Sequence, residues 1–266
     1  MSTNQYSFDN DWVKARQRLS ALETIEDPAT INHLETIGVA KGWHCLEVGG
    51  GGGSISEWLC RRVGLTGSVM VTDVNTRYLE TLDFPQLKVL KHNVISDDLE
   101  MSRFDLVHTR NLLIHLPERV KVIEKMVKAV KPGGWILIEE TDFITNQSDS
   151  TVKDSLGILY EIVMQEVYKC VEANGLDIHC GERLFSILHS LKFELLSGEG
   201  RAKLFQGGTA EAEYNSLTYE QLKAPVLAGG RVEEQDFHDF LALFANPLFL
   251  WRGPLRVSVW GRRPQT

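Results

Sequence analysis

Between Cys45 and Ser54 the chain reads Cys-Leu-Glu-Val followed by five consecutive glycines and a serine, an apolar strand that runs through a bare turn into an amphipathic helix. Glycines permit positive φ and let backbone N–H groups approach a ligand at the helix N-terminus. A dinucleotide turn needs a third Gly or Ala five residues after the first, but from Gly49 that position is Ser54, and later starts give Ile55 or Ser56. The dinucleotide fingerprint therefore fails in every register. What remains is an acid followed by alternate glycines, namely Glu47, Gly49, Gly51 and Gly53. Further on, Asp73 ends a second apolar run, at the separation where an acid accepts hydrogen bonds from sugar hydroxyls in doubly wound folds. The plainer role for such an acid is to cap a helix.

Three more stretches follow in order. Lys91-His92-Asn93-Val94 closes a third strand. Phe104-Asp105-Leu106-Val107 leads through Arg110 and His115 to Leu116-Pro117. Lys131-Pro132-Gly133-Gly134 ends a helix and starts a turn, and a fifth strand, 135–139, follows it to Glu139-Glu140. Together with the glycine turn, these motifs resemble class I S-adenosylmethionine-dependent methyltransferases over residues 38 to 142, most closely the small-molecule enzymes of quinone and secondary-metabolite pathways. The resemblance implies S-adenosylmethionine as cofactor, with the glycine turn against its methionine half and Glu47 organising its ammonium group through water. It assigns Asp73 to the ribose and Val74 to an apolar wall for adenine. Where the family usually carries an Asp that accepts from the adenine amino group, this chain has Asn93, whose amide oxygen can still accept. Val94 offers its backbone N–H to the ring. Arg110 offers its carbonyl to the cofactor's amino group and its guanidinium to a carboxylate of cofactor or substrate.

Methyl transfer from a sulfonium requires in-line attack by a nucleophile, so orientation can supply much of the catalysis. A base helps where the acceptor is a hydroxyl or a protonated amine. His115, after strand four, is the candidate base, its plainer role being a packed, hydrogen-bonded histidine. Glu140 and Asp142 after strand five are candidate substrate-binding groups. So are Tyr6 and Trp12, in an N-terminal segment that also carries Arg16 and Arg18, either as part of a lid or on a solvated helix face. The expected function is methylation of a small molecule, aromatic or polyketide-like or a quinone precursor, at oxygen or nitrogen. Two other readings share the fold: an enzyme of a non-methylating step such as cyclisation, and a non-catalytic regulatory protein that binds the cofactor.

The elements that must hold these residues follow from periodicity. Strands are expected at 43–48, 68–72, 87–90, 104–107, 135–139, 193–196 and 255–260. Helices are expected at 11–25, at 28–37 with Asp27 as N-cap and Pro28 in the first turn, and at 54–63, 118–130 and 182–191. This is an α/β chain with a doubly wound, seven-stranded, mostly parallel sheet whose last strand is antiparallel. N-terminal helices precede the sheet and a helical cap is inserted before the last strand. The expected parts are a helical lid at 1–37, a cofactor-binding core at 38–150, a mainly helical cap and substrate region at 151–246, and the final strand at 247–266.

Composition sets the outer bounds. Apolar residues make up 43% and charged residues 24%, as in a folded globular chain. The net charge of −8 and the absence of a Lys/Arg block argue against nucleic acid, and no apolar run is long enough to span a membrane. Cys45, Cys60, Cys170 and Cys180 are scattered, so neither a metal site nor a disulfide framework is expected. The stretch from Met1 to Asp11 has no basic start and no apolar run, and a cytoplasmic protein is expected.

Overall fold

A computed structural model describes residues 8, 10–149 and 155–265. The chain divides into two compact units, each discontinuous in sequence. The sheet unit comprises Glu26–Glu140, Cys180–Gly200 and Arg256–Thr266, and the helical unit comprises Met1–Ile25, Thr141–His179 and Arg201–Leu255.

In the sheet unit, β1 (His44–Val48), β2 (Ser68–Asp73), β3 (Leu87–Lys91), β4 (Phe104–Arg110), β5 (Val130–Asp142) and β8 (Leu250–Arg262) lie in the order β3-β2-β1-β4-β5-β8, with β7 (Glu194–Gln206) also paired to β8. The β1–β2, β1–β4, β2–β3 and β4–β5 pairs are parallel. Strands β1 and β2 are buried along almost their whole length, as a sheet covered on both faces requires. Between them α2 (Ser54–Val63) buries Ile55, Leu59, Cys60 and Val63 at helical spacing. These side chains meet Cys45, Val69, Leu106 and Leu137 in one core, and each large one contributes about 1.5–3 kcal/mol. Arg61 and Arg62 occupy the last turn of α2, which ends on Gly64 at φ 64.

Three segments differ from the sequence reading. First, α1 (Ala15–Ile37) is a single helix that runs through Pro28. The missing N–H forfeits a bond to the Thr24 carbonyl, at a cost of about 3 kcal/mol. The burial of Leu34 and Ile37 and the pairing of Asp27 with Arg110 offset it. Asp27 is thus an ion-pair partner, not an N-cap. Second, the Lys-Pro-Gly-Gly stretch lies inside β5, not in a turn before it. Gly133 takes φ +76 and donates to the Arg263 carbonyl (2.9 Å), and Arg263 N–H donates back to the Gly134 carbonyl (2.8 Å), so the residue that follows β8 holds this irregular stretch in place. Third, the two-residue β6 (Gln147–Ser148) pairs antiparallel with β8 and adds an eighth strand.

The helical unit contains the start of α1, then α4 (Ser155–Ala173), α6 (Ala210–Gln221), α7 (Lys223–Ala228) and α8 (Glu234–Leu243). Tyr160, Val163, Met164 and Val167 form the buried stripe of α4. Tyr160 packs on Phe240 and Phe249, and Phe249 stacks on Trp251 at 5.3 Å. The remaining helices, α3 (Arg119–Ala129) and α5 (Leu184–Ser190), belong to the sheet unit, where the expected 182–191 helix begins as a short 3-10 turn at Gly181–Arg183. Among the described residues no helix is long and apolar enough to cross a membrane.

Candidate functional site

The turn after β1 is left-handed at Gly49 (φ 77), Gly51 (φ 54) and Gly53 (φ 92). Gly49 and Gly50 both donate to the Thr72 carbonyl, at 2.8 and 3.1 Å, which ties the turn to the end of β2. Asp73 completes the tie. Its Oδ2 accepts from Gly51 N–H and its Oδ1 from Asn75 N–H, each at 3.0 Å. Burial pushes the Asp73 carboxyl up from its ordinary value, with the Glu47 charge adding to the rise, while the N–H groups of Asn75, Gly51 and Val74 pull it down. Beside it Val74 is 53% exposed.

The neighbouring strand brings in the third motif. Asp73 pairs with Lys91, and His92 donates to the Asp73 carbonyl at 2.9 Å, so the residues that follow β3 emerge beside Val74. Asn93 is exposed and its amide oxygen accepts from Ile95 N–H at 3.0 Å; Val94 is buried. These residues suit a ligand with sugar hydroxyls and a flat base. Asp73 retains acceptor capacity beyond its backbone donors, Val74 gives an open apolar surface, and the turn between them has no side chains.

Glu47 is buried, accepts from the Ser56 hydroxyl and lies 3.7 Å from His108 Nδ1. A ligand ammonium therefore meets it through an intermediary rather than at an open carboxylate. On the other side of β1, β4 is followed by Asn111, a non-glycine residue at φ 52 whose N–H donates to the Glu139 carbonyl. A short 3-10 turn, Leu113–His115, follows and carries half-buried His115 at its end. The preceding residue packs on the glycine turn: Leu112 lies 3.2 Å from where a Cβ on Gly49 would stand.

Several expectations are corrected here. Glu140 is not an open substrate-binding group. It is 1% exposed and accepts from the N–H groups of Leu112, Leu113 and Ile114 at 2.7–3.2 Å, holding the turn that bears His115. Burial raises its carboxyl to about 7, against those three N–H groups and the Arg119 charge. The Arg110 guanidinium is likewise engaged, with Asp27 (2.8 Å) and Thr30 (2.9 Å), leaving the backbone as this residue's means of meeting a ligand. In the helical unit, buried Asp142 accepts from Ile144 N–H and faces His179 Nδ1 at 3.5 Å. Trp12, half-buried, precedes α1 in that unit, and Tyr6 lies outside the described residues.

The sheet unit also contains a feature that the sequence did not disclose. Glu47, His108, Glu139, His33 and Glu199 form an alternating chain of carboxylates and imidazoles. His108 Nε2 lies 3.3 Å from Glu139, His33 Nδ1 2.9 Å from Glu139, and His33 Nε2 2.7 Å from Glu199. Thr30 and Ser258 donate to Glu139 at 2.6 and 2.8 Å, and Trp260 stacks on His33 at 4.9 Å. Burial on its own would lower both imidazole pKa values. Hydrogen bonds and charge from the flanking carboxylates, Glu139 foremost, raise both above the ordinary histidine value. Glu139 is held well below its ordinary value: burial would raise it, but His108, His33 and the Arg110 charge prevail. His33 sits between two carboxylates, and donation from both ring nitrogens requires the imidazolium. No spacing in the sequence joins these residues, because they come from α1, β1, β4, β5, β7 and β8.

Comparison with known proteins agrees with this geometry. A family model described as a methyltransferase domain matches residues 46–136. The ubiquinone biosynthesis O-methyltransferase of Hydrogenovibrio crunogenus is 33% identical over 132 residues, 48% of this chain and 54% of that protein. Methyltransferase str2 of Strobilurus tenacellus is 27% identical over 164 residues, 60% of this chain and 57% of that protein. The chain thus spans little more than half the length of these curated relatives. A Haemonchus contortus phosphoethanolamine N-methyltransferase 2 in complex with S-adenosyl-L-methionine has the same fold, with TM-score 0.61 at 14% identity over 100% of this chain and 61% of that one. Residues 46–136 therefore match a methyltransferase domain, and the chain has the fold of a solved methyltransferase.

Proposed function

We propose that this chain methylates a small molecule at oxygen or nitrogen, the acceptor being a quinone precursor or an aromatic or polyketide-like natural product. The observation that carries the reading is the left-handed glycine turn fastened to Asp73 at the joined ends of β1 and β2. Support for the acceptor class comes from relatives whose names place one in ubiquinone biosynthesis, and from the net charge of −8, which disfavours a polyanionic substrate.

S-adenosylmethionine, the cofactor of this reading, would supply an electrophilic methyl group on a sulfonium, and the side chains would orient the reactants. Asp73 would accept from the ribose hydroxyls, Val74 would offer an apolar surface to the base, and Asn93 and Val94 would offer it an amide oxygen and a backbone N–H. Glu47 attracts the ammonium end, and the Arg110 carbonyl accepts from it. His115 takes the proton of the attacking hydroxyl or amine, placed by a turn that Glu140 holds.

Isothermal titration with S-adenosylhomocysteine and release of that product with a panel of acceptors test the reading together. Asp73→Ala is expected to weaken cofactor affinity about 10- to 100-fold while the fold persists. His115→Ala is expected to slow turnover about 100-fold with cofactor affinity intact. Unchanged affinity would remove Asp73 from the site, wild-type turnover would return His115 to packing, and no binding by the unaltered chain would end the enzymatic reading.

A further inference from the structure

The first half of α1 has one residue of the wrong type for its position. Ala15, Arg18, Leu19 and Ile25 are buried and Leu22 is half-buried, a stripe at helical spacing in which Arg18 is the one charged side chain, only 5% exposed. The cations on either side are partly exposed and paired: Lys14 with Glu220 at 2.6 Å and Arg16 with Glu23 at 3.3 Å. Arg18 has no such partner among the described residues. Its guanidinium lies 4.9 Å from the centre of the Phe8 ring, and its Nε is shut away from solvent with no acceptor for its hydrogen among the described residues. An aromatic face compensates only part of the loss of hydration when a cation is buried, so a guanidinium placed this way is incomplete until an anion meets it.

We infer that Arg18 anchors an oxyanion site in the helical unit and that its ligand is a carboxylate or phosphate group on the methyl acceptor; the second half of this inference rests on the function proposed above. A guanidinium offers a planar fork of donors matched to either oxyanion, which an ammonium does not. Nε is enclosed, and the fork of terminal nitrogens is the part of the group that would receive the ligand. Phe8, itself buried, supports the plane of the fork. The cofactor also carries a carboxylate, and the titrations below separate the two sources.

The test uses the full chain and reads the arginine Nε–H resonances by nitrogen-15 NMR, with Arg18→Lys identifying the signal. Benzoate, phenyl phosphate and phenol are titrated separately, without and then with saturating S-adenosylhomocysteine. Benzoate or phenyl phosphate is expected to move the Arg18 resonance in both conditions, the stronger of the two naming the oxyanion, while phenol does not. Arg18→Gln is expected to bind the anion at least about tenfold more weakly and, with no unpaired buried charge, to melt no lower than the unaltered chain. A resonance unmoved by either anion overturns the site, as does equal anion affinity in Arg18→Gln. If saturating S-adenosylhomocysteine moves the signal itself and abolishes the benzoate effect, the carboxylate is the cofactor's and the acceptor assignment falls. Failure of S-adenosylhomocysteine to bind anywhere would instead refute the proposed function, while the anion titration would still decide the oxyanion site. Should Arg18→Gln not fold, the titration of the unaltered chain decides alone.

Discussion

At the scale of single residues, the glycine turn serves two needs that its sequence does not separate. Gly49, Gly51 and Gly53 need positive φ, which other residues adopt only with strain. Gly50 does not; it is bare because a Cβ there would stand 2.2 Å from Val71 Cγ2 on β2. One of the glycines read as room for a ligand is thus room for the protein's own core. Gly50→Ala should force Val71 or the turn aside, cost about 1–3 kcal/mol by denaturant unfolding and weaken cofactor binding. Adding Val71→Ala, which removes the obstructing methyl, should recover part of the binding. A Gly50→Ala protein as stable as the original, with cofactor affinity unchanged, would show that the contact yields at no cost.

Among elements, the segment from the end of β4 through the Leu113–His115 turn has its position set by a carboxylate from the next strand. Glu140 accepts the backbone donors of that turn from a fully buried position, and its pKa near 7 has a definite consequence for stability. Below about pH 4.5 the group is protonated in both folded and unfolded chains and the shift costs nothing. Between about 4.5 and 7 the folded chain keeps a proton that the unfolded chain has lost, so stability from this group falls as pH rises, by about 3 kcal/mol across the window. Glu140→Gln should remove that slope and, with one oxygen for three donors, start from a lower stability. Denaturant midpoints from pH 4.5 to 8 should therefore show the gap between original and variant narrowing as pH rises, and a constant gap would mean that Glu140 titrates normally. This role was illegible in the sequence, where Glu140 is simply an acid at the end of a strand. The strands themselves were legible because a parallel sheet buried on both faces leaves continuous apolar runs such as Val69-Met70-Val71. The break expected at Asp27-Pro28 was not, because local propensity favours a helix start there and only the distant partner Arg110 shows what Asp27 does.

For the molecule as a whole, the match to the family model covers less than what folds together. Residues 46–136 lie within one continuous segment of the sheet unit, Glu26–Glu140, yet that unit also takes in Cys180–Gly200 and Arg256–Thr266. The later segments supply Glu199 to His33, Ser258 to Glu139 and Trp260 as the stacked neighbour of His33, and they pair the outer edge of β5 with β8. Motifs could locate the cofactor side of the sheet because its residues are close in sequence order. They could not reveal a charge chain whose members are up to 166 residues apart, such as His33 and Glu199. Removal of one partner from a buried ion pair costs about 3–5 kcal/mol, against a total of about 5–15 kcal/mol for a domain. A fragment of residues 26–140 would lose Glu199 and Ser258 together and expose the edge of β5. It should therefore lack a cooperative unfolding transition and bind a hydrophobic dye, although it contains the whole region matched by the family model. If instead it unfolds cooperatively and binds S-adenosylhomocysteine as tightly as the full chain, the buried chain of carboxylates and imidazoles is not what holds the sheet unit together.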